Sequence, residues 1–216
     1  MRADEAEPPA LRPAQRRDAR ALLPLVYASG PAAFDYVFAH GGRTAGAFLA
    51  YALDDGRGLI GWPHHHVAVL DGRVVGCVAT YGAHELAALA NATLRQYFRF
   101  YAPWTALSVL RRALHVGVMQ PPPEHGDFYV AHLSVAPAAH RRGIASRLLA
   151  HALDAAQALG YRHCALDVAS DNGAARALYG KHGFRLIAER ALPRRDARVP
   201  SSCRLRLALR AEMKIG

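Results

Sequence analysis

The stretch Val135 to Ala145 (VAPAAHRRGIA) holds residue types suited to gripping an anionic ligand. A β-rich run, Phe128 to Val135 (FYVAHLSV), ends at Val135-Ala136-Pro137. A short loop then leads through Arg141-Arg142-Gly143 into a helix starting near Ile144. Gly143 removes the side chain where backbone turns tightly or approaches a ligand. The first-turn N–H groups of that helix lack intrahelical partners and sit at the positive end of its dipole, which suits a diphosphate. The strand that follows at Arg162 is expected to lie parallel to the first through a right-handed crossover, with ligand bound beyond the carboxyl ends of the strands. The loop is neither GxxxxGK[ST] nor GxGxxG, which argues against a nucleoside-triphosphate P-loop and a Rossmann unit. An ordinary glycine at a strand-to-helix turn is the other reading of the same residues.

The second half of the chain adds DNGAARALYGKHGFRL to VAPAAHRRGIASRLL, and the two together resemble the GCN5-related N-acetyltransferase (GNAT) family. The family's loop is [QR]xxGx[GA], preceded by V-x-P, and its later motif is NxxAxxLYxxxGF. The matching residues are Val135, Pro137, Gly143 and Ala145, then Asn172, Ala175, Leu178, Tyr179, Gly183 and Phe184. One position departs: His140 stands where the family has Gln or Arg. The resemblance is close over Phe128 to Arg190 and implies acetyl-CoA lying between two splayed parallel strands. It further implies that Leu133, Ser134 and Val135 meet the acetyl-pantetheine arm. The amides of Arg141, Arg142, Gly143, Ile144, Ala145 and Ser146 would hold the pyrophosphate, and Asn172 and Ala175 would lie against the cofactor near the second strand.

The same resemblance implies an amine attacking the thioester carbonyl directly, with Tyr179 as general acid for the departing thiolate. Packing of Tyr179 into the core from a helix face is the competing reading. An alkylamine with a pKa near ~10.4 must lose a proton before it attacks. Relatives place Glu or His at the positions of Tyr129 or Ala131, and this chain has neither. Asp127, Glu124 or a water chain through Tyr129 are the substitutes. Alternation puts Asp127, Tyr129, Ala131 and Leu133 on one strand face and His132 on the other, where it reads as structural.

No metal is expected. His64-His65-His66 are consecutive strand residues, so at most two converge, and no Cys or carboxylate at ligand spacing joins them. Cys164 lies within a strand with no evident His partner, which disfavours a covalent cysteine mechanism.

The elements that must position these groups are legible as periodicity. Arg16 to Ser29 has the spacing of an amphipathic helix that Pro24 kinks or divides, and Arg43 to Leu53 reads as a second helix. His66 to Tyr81 reads as two strands joined at Asp71-Gly72, a strong hairpin signal. Residues 83–116 form a helical insert with one apolar stripe through Leu86, Leu89, Ala90, Leu94, Tyr97 and Tyr101, and a second through Trp104, Leu107, Leu110 and Leu114. Its aromatic residues suit the acceptor pocket, a homodimer face or extra core packing. After the Pro121–Pro123 spacer come a helix over Arg142–Leu159, a strand over Arg162–Val168, a short helix over Asn172–Lys181, and strands over Phe184–Arg190 and Cys203–Arg210. In the last of these, arginines alternate with Leu205, Leu207 and Leu209 as on a sheet with one wet face. The fold class is α/β: residues 1–216 as a single domain with a mixed central sheet, and 128–190 as its cofactor-binding β-α-β core.

Composition bounds the function classes. With 52% apolar and 20% charged residues over 216 positions, a packed core is expected and wholesale disorder is not. No apolar run approaches the ~20 residues of a membrane helix. The three cysteines form no CxxC pair, as expected of a cytoplasmic protein. The net charge of +10 suggests an anionic partner, but the basic residues are scattered and all but Lys181 and Lys214 are arginine. Neither a specific nucleic acid nor a membrane is expected as partner. The expected partners are acetyl-CoA and a primary amine of a small molecule or protein, with a non-catalytic acyl-CoA-binding module as the rival function.

Overall fold

Strand propensity and turn chemistry together build one seven-stranded mixed sheet. In the computed structural model, residues 8–192 and 199–209 are described. The strands are β1 (Ala10–Pro13), β2 (His65–Leu70), β3 (Arg73–Gly82), β4 (Asp127–Val135), β5 (His163–Ala169), β6 (Arg185–Arg190) and β7 (Ser202–Ala208). They lie in the order β1-β2-β3-β4-β5-β7-β6. All neighbours are antiparallel except β4 and β5, which run parallel as the crossover rule predicts. The β2–β3 hairpin turns at Asp71 and Gly72, both with positive φ (49° and 71°), the pairing a type I′ turn requires.

The helices are α1 (Ala19–Ala28), α2 (Pro31–Phe38), α3 (Ala45–Asp55), α4 (Leu86–Phe100), α5 (Pro103–Gly117), α6 (Ile144–Ala158) and α7 (Gly173–Lys181). Side chains alternate along the strands, so the sheet feeds two cores. Val67 and Cys77 join Leu22, Val26, Phe48 and Leu49 on the face covered by α1 and α3. Ala68, Val78, Phe128 and Val130 join Leu148, Leu149 and Tyr179 on the face covered by α6 and α7. Helix α1 continues through Pro24 to Ala28. Thr44 caps α3, its Oγ1 accepting from the Ala47 amide at 3.2 Å, and Gly56 ends it in the left-handed conformation.

Several expectations change. Strand β1 and helix α2 belong to no element read from the sequence. On α5 the buried residues are Ala106, Val109 and Val116, whereas Trp104, Leu107 and Leu114 are exposed, Trp104 to 84%. The apolar stripe drawn through those three therefore lies on the outer side of the helix. Arg204 on β7 does not face water either: it is 6% exposed and grips Asp167 on β5 with two bonds, of 2.8 and 2.7 Å. Tyr97 and Tyr101 pack in the first core, the latter donating to Phe38 O at 2.8 Å, so these insert aromatics serve packing.

Candidate active site

The ladder between β4 and β5 is short. It joins Asp127–Val130 to His163–Leu166 and goes no further, so the strands part beyond Val130 and Leu166. On its other side β4 carries a bulge: Ala79 pairs with Ala131 and Cys77 with Ser134, leaving Val78 opposite both His132 and Leu133. His132 has φ +52°, an uncommon conformation outside glycine. The bulge adds one residue and resets the alternation. Leu133 and Val135 consequently pack toward the α6 core, while His132 turns to the α1–α2 side, stacked on His65 and tilted against Phe34. The expected grouping of Leu133 with Asp127 and Tyr129, and of His132 with the opposite face, is thereby corrected.

A cavity of about 670 Å³ opens where the strands part. Its walls include Ala131, His132 and Leu133 from β4, Asp167 and Val168 from β5, and Asn172, Ala175 and Tyr179 at α7, with the α1–α2 turn opposite. Asn172 also caps α7, its Oδ1 accepting from the Ala175 amide at 3.0 Å. Tyr179 is buried beside Phe184, and burial pushes its hydroxyl up to about 12, so it is a neutral donor at any working pH.

Beyond the end of β4, the Pro137–Ala139 turn leads to His140, whose Nε2–H donates to Val135 O at 2.8 Å. At the position where the resemblance expects Gln or Arg, this side chain braces the loop against the strand. Arg141 (φ +60°) and Gly143 (φ +74°) follow in left-handed backbone. Arg147 supplies the first amide of α6 to find an acceptor in the helix, Gly143 O at 3.1 Å, which leaves the preceding amides of Ile144, Ala145 and Ser146 at the open helix end.

Other sequence candidates lie elsewhere. Asp127 is 2% exposed and outside the cavity walls, its carboxylate held by Arg206 at 2.7 Å and by the Glu124 amide at 3.2 Å. Glu124 is itself paired to Arg206 at 2.9 Å on the exterior. Tyr129 donates to Asp167 Oδ2 at 2.7 Å, and burial followed by the Asp167 charge raises its pKa well above the usual phenol range. Asp127 and Tyr129 thus belong to a polar layer tied to Arg206 and Arg204, and none of these three candidates lines the cavity. The reason is that arginines on β7 reach across β5 and neutralise acids that a strand end would otherwise leave to water. Consecutive histidines divide as well: His65 faces His132, and His66 faces His151 with ring centroids 4.6 Å apart. Among the described residues, no three His, Cys, Asp or Glu side chains gather as a metal site.

Four histidines here, His64, His65, His66 and His132, have pKa values below the ordinary 6.5, in each case chiefly through burial, His132 down to about 4. They bind protons on unfolding and not in the fold. Stability is therefore full above about pH 6.5 and falls as pH drops toward about 4, each such group steepening the slope by up to about 1.4 kcal/mol per pH unit. Urea midpoints across that window should show the decline, and His65→Phe should flatten it; a flat profile in the wild type contradicts this account.

Known proteins share this fold. A family model described as the acetyltransferase (GNAT) family matches residues 42–184. No curated protein sequence matches the chain. Among solved structures, an N-acetyltransferase from Staphylococcus aureus superposes with a TM-score of 0.69 at 18% identity, over 92% of this chain and 100% of that one. A putative acetyltransferase from Salmonella typhimurium, solved with its cofactor acetyl-CoA, gives 0.56 at 18% identity over 95% and 96%. A ribosomal-protein-alanine N-acetyltransferase from Brucella melitensis gives 0.53 at 18% identity over 93% and 99%.

Proposed function

The chain belongs to the acetyltransferase (GNAT) family, and from that premise we propose that it transfers the acetyl group of acetyl-CoA to a primary amine of a small molecule or protein by direct attack in a ternary complex. The observation that carries this reading is the parting of β4 and β5 around a cavity with Tyr179 in its wall, followed by an amide-lined turn at the start of α6.

Acetyl-CoA supplies an activated thioester carbonyl. The amides of residues 141–146 bind its diphosphate, and the unpaired edge of β4 at Leu133, Ser134 and Val135 holds the pantetheine arm. Asn172 and Ala175 border the same gap from the β5 side. A strand amide facing the carbonyl oxygen stabilises the charge it gains on attack. Tyr179 holds a proton for the departing sulfur. A cytoplasmic location goes with three free, buried thiols, and a homodimer through the outer side of α5 goes with its exposed Trp104 and Leu114.

The test is release of free CoA across a panel of small amines and N-terminal peptides, with acetyl-CoA binding measured in parallel. Turnover with at least one amine is expected. Binding without release across the panel would replace this reading with a non-catalytic acyl-CoA-binding module.

A further inference from the structure

The cavity wall contains His132, which pairs with the buried His65 behind it, and the protonation pattern of the pair follows from its hydrogen bonds. His65 is fully buried, and its Nδ1 lies 3.0 Å from Gly61 O. A carbonyl only accepts, so Nδ1 carries the proton. Burial, the neighbouring His132 and the other adjacent histidines keep the ring neutral, which leaves Nε2 as a lone pair. His132 Nδ1 sits 3.1 Å from that Nε2 and must therefore donate to it. The same logic then fixes His132: neutral, protonated on Nδ1, with its own Nε2 an unprotonated acceptor. The one side-chain hydrogen bond of His132 among the described residues uses Nδ1, and the residue lines the cavity.

We infer that His132 Nε2 is the base that takes the proton of the acceptor amine, and that His65 is the positioning residue that fixes its tautomer and orientation. This rests on the acyl-transfer reading above. The acceptor enters as its free amine, the ammonium proton left with solvent; as the nitrogen commits its lone pair to the new C–N bond, its remaining N–H becomes acidic and passes a proton to Nε2. The C–S bond breaks with its electron pair on sulfur, which takes the Tyr179 proton, and both side chains return to their starting states by exchange with water. The chain Gly61 O, His65, His132 also gives a purpose to the bulge: without the extra residue, His132 would point into the α6 core. The groups facing His132 are His65 from β2, His64 from the turn before it, Cys77 from β3, whose Sγ donates to His132 O at 3.3 Å, and Phe34 from α2. Asp167 borders the same cavity but is already held by Arg204 and Tyr129. With the histidine unprotonated down to about 4, it does not itself impose an acid limb on kcat near neutrality.

His132→Asn tests the role. Asparagine tolerates the positive φ and its amide N–H can still reach His65, but it offers no basic nitrogen. The expected result is a kcat lower by about a hundredfold or more with acetyl-CoA affinity unchanged, and partial recovery on adding imidazole. His65→Gln, whose side-chain oxygen can accept from His132, should keep most of the rate, whereas His65→Phe should lose it at unchanged KM. Nitrogen-15 NMR of the wild-type imidazoles, independent of activity and of any variant's folding, should find both rings protonated on Nδ1. An Nε2-protonated His132, or wild-type turnover in His132→Asn, overturns the inference alone. A wild type that binds acetyl-CoA and acetylates no amine overturns the acyl-transfer reading and this inference with it.

Discussion

Tyr179→Phe should lower kcat about a hundredfold while leaving acetyl-CoA affinity and stability nearly untouched. The ring stays where it is, packed beside Phe184 at the edge of the α6–α7 core, so the substitution creates no void. Tyr179 lines the cavity, and no hydrogen bond ties its hydroxyl to another described residue, so its removal orphans nothing. What disappears is the one neutral phenol in the cavity wall. The effect sits at the low end of general-acid contributions because a hydroxyl pushed up to about 12 yields its proton less readily than a thiol near ~8.5 would. Steady-state CoA release and calorimetric titration with acetyl-CoA read the two quantities separately. An unchanged kcat would remove Tyr179 from the chemistry and return it to the core.

Arg204→Met should be the most damaging single change to stability. Arg204 and Asp167 have side chains only 7% and 2% exposed and meet in a two-pronged pair, and the same carboxylate accepts from Tyr129. Truncating the cation leaves a buried carboxylate without its counter-charge, a loss of about 3–5 kcal/mol. For a domain of this size, that lowers Tm by on the order of 10 °C. Removing the whole polar set together, with Asp167→Leu and Tyr129→Phe added, should recover much of the loss, because the cost lies in the stranded charge and not in the missing bridge. Thermal unfolding of the single and triple variants distinguishes the cases. A single variant as stable as the wild type would mean that water reaches Asp167.

The elements with strong local signals are those the sequence discloses. Asp71-Gly72 forces its turn through backbone conformation alone, and α6 announces itself by apolar spacing and the glycine ahead of it. The features that stay hidden depend on partners distant in sequence. Strand β1 is four residues, ALRP, with no alternation of its own, and exists because it pairs with β2. Helix α2 is eight residues long and begins at Pro31, with Gly30 as its N-cap, a position where proline is at home. On α5 both sides are apolar, and the smaller Ala106 and Val109 take the inner side while Trp104 and Leu107 stay outside. The same distinction applies to the site. Gly143 and Tyr179 belong to motifs with fixed spacing. A one-residue bulge leaves no mark in composition, so strict alternation puts His132 and every later residue of β4 on the wrong side. Asp127 reads as available because its arginine partner, Arg206, comes from the far end of the chain. A histidine in left-handed backbone three residues before Val135 is the signal that becomes readable only once the register of β3 is known.

The short ladder between β4 and β5 has a mechanical meaning. A sheet is ordinarily least cohesive at its rims, where strands have one neighbour, and strongest at its centre. Here the central seam is fastened over only the first four residues of β4, and the rest of that line is open backbone. The molecule is thus two smaller sheets, β1–β4 and β5–β7, riveted at one end and spanned by α6. A long ligand laid in the gap acts as the missing strand. It would knit the two halves along the full length of the seam, so occupancy and rigidity rise together, and the loosening that follows product departure begins in the middle of the protein and not at its margins.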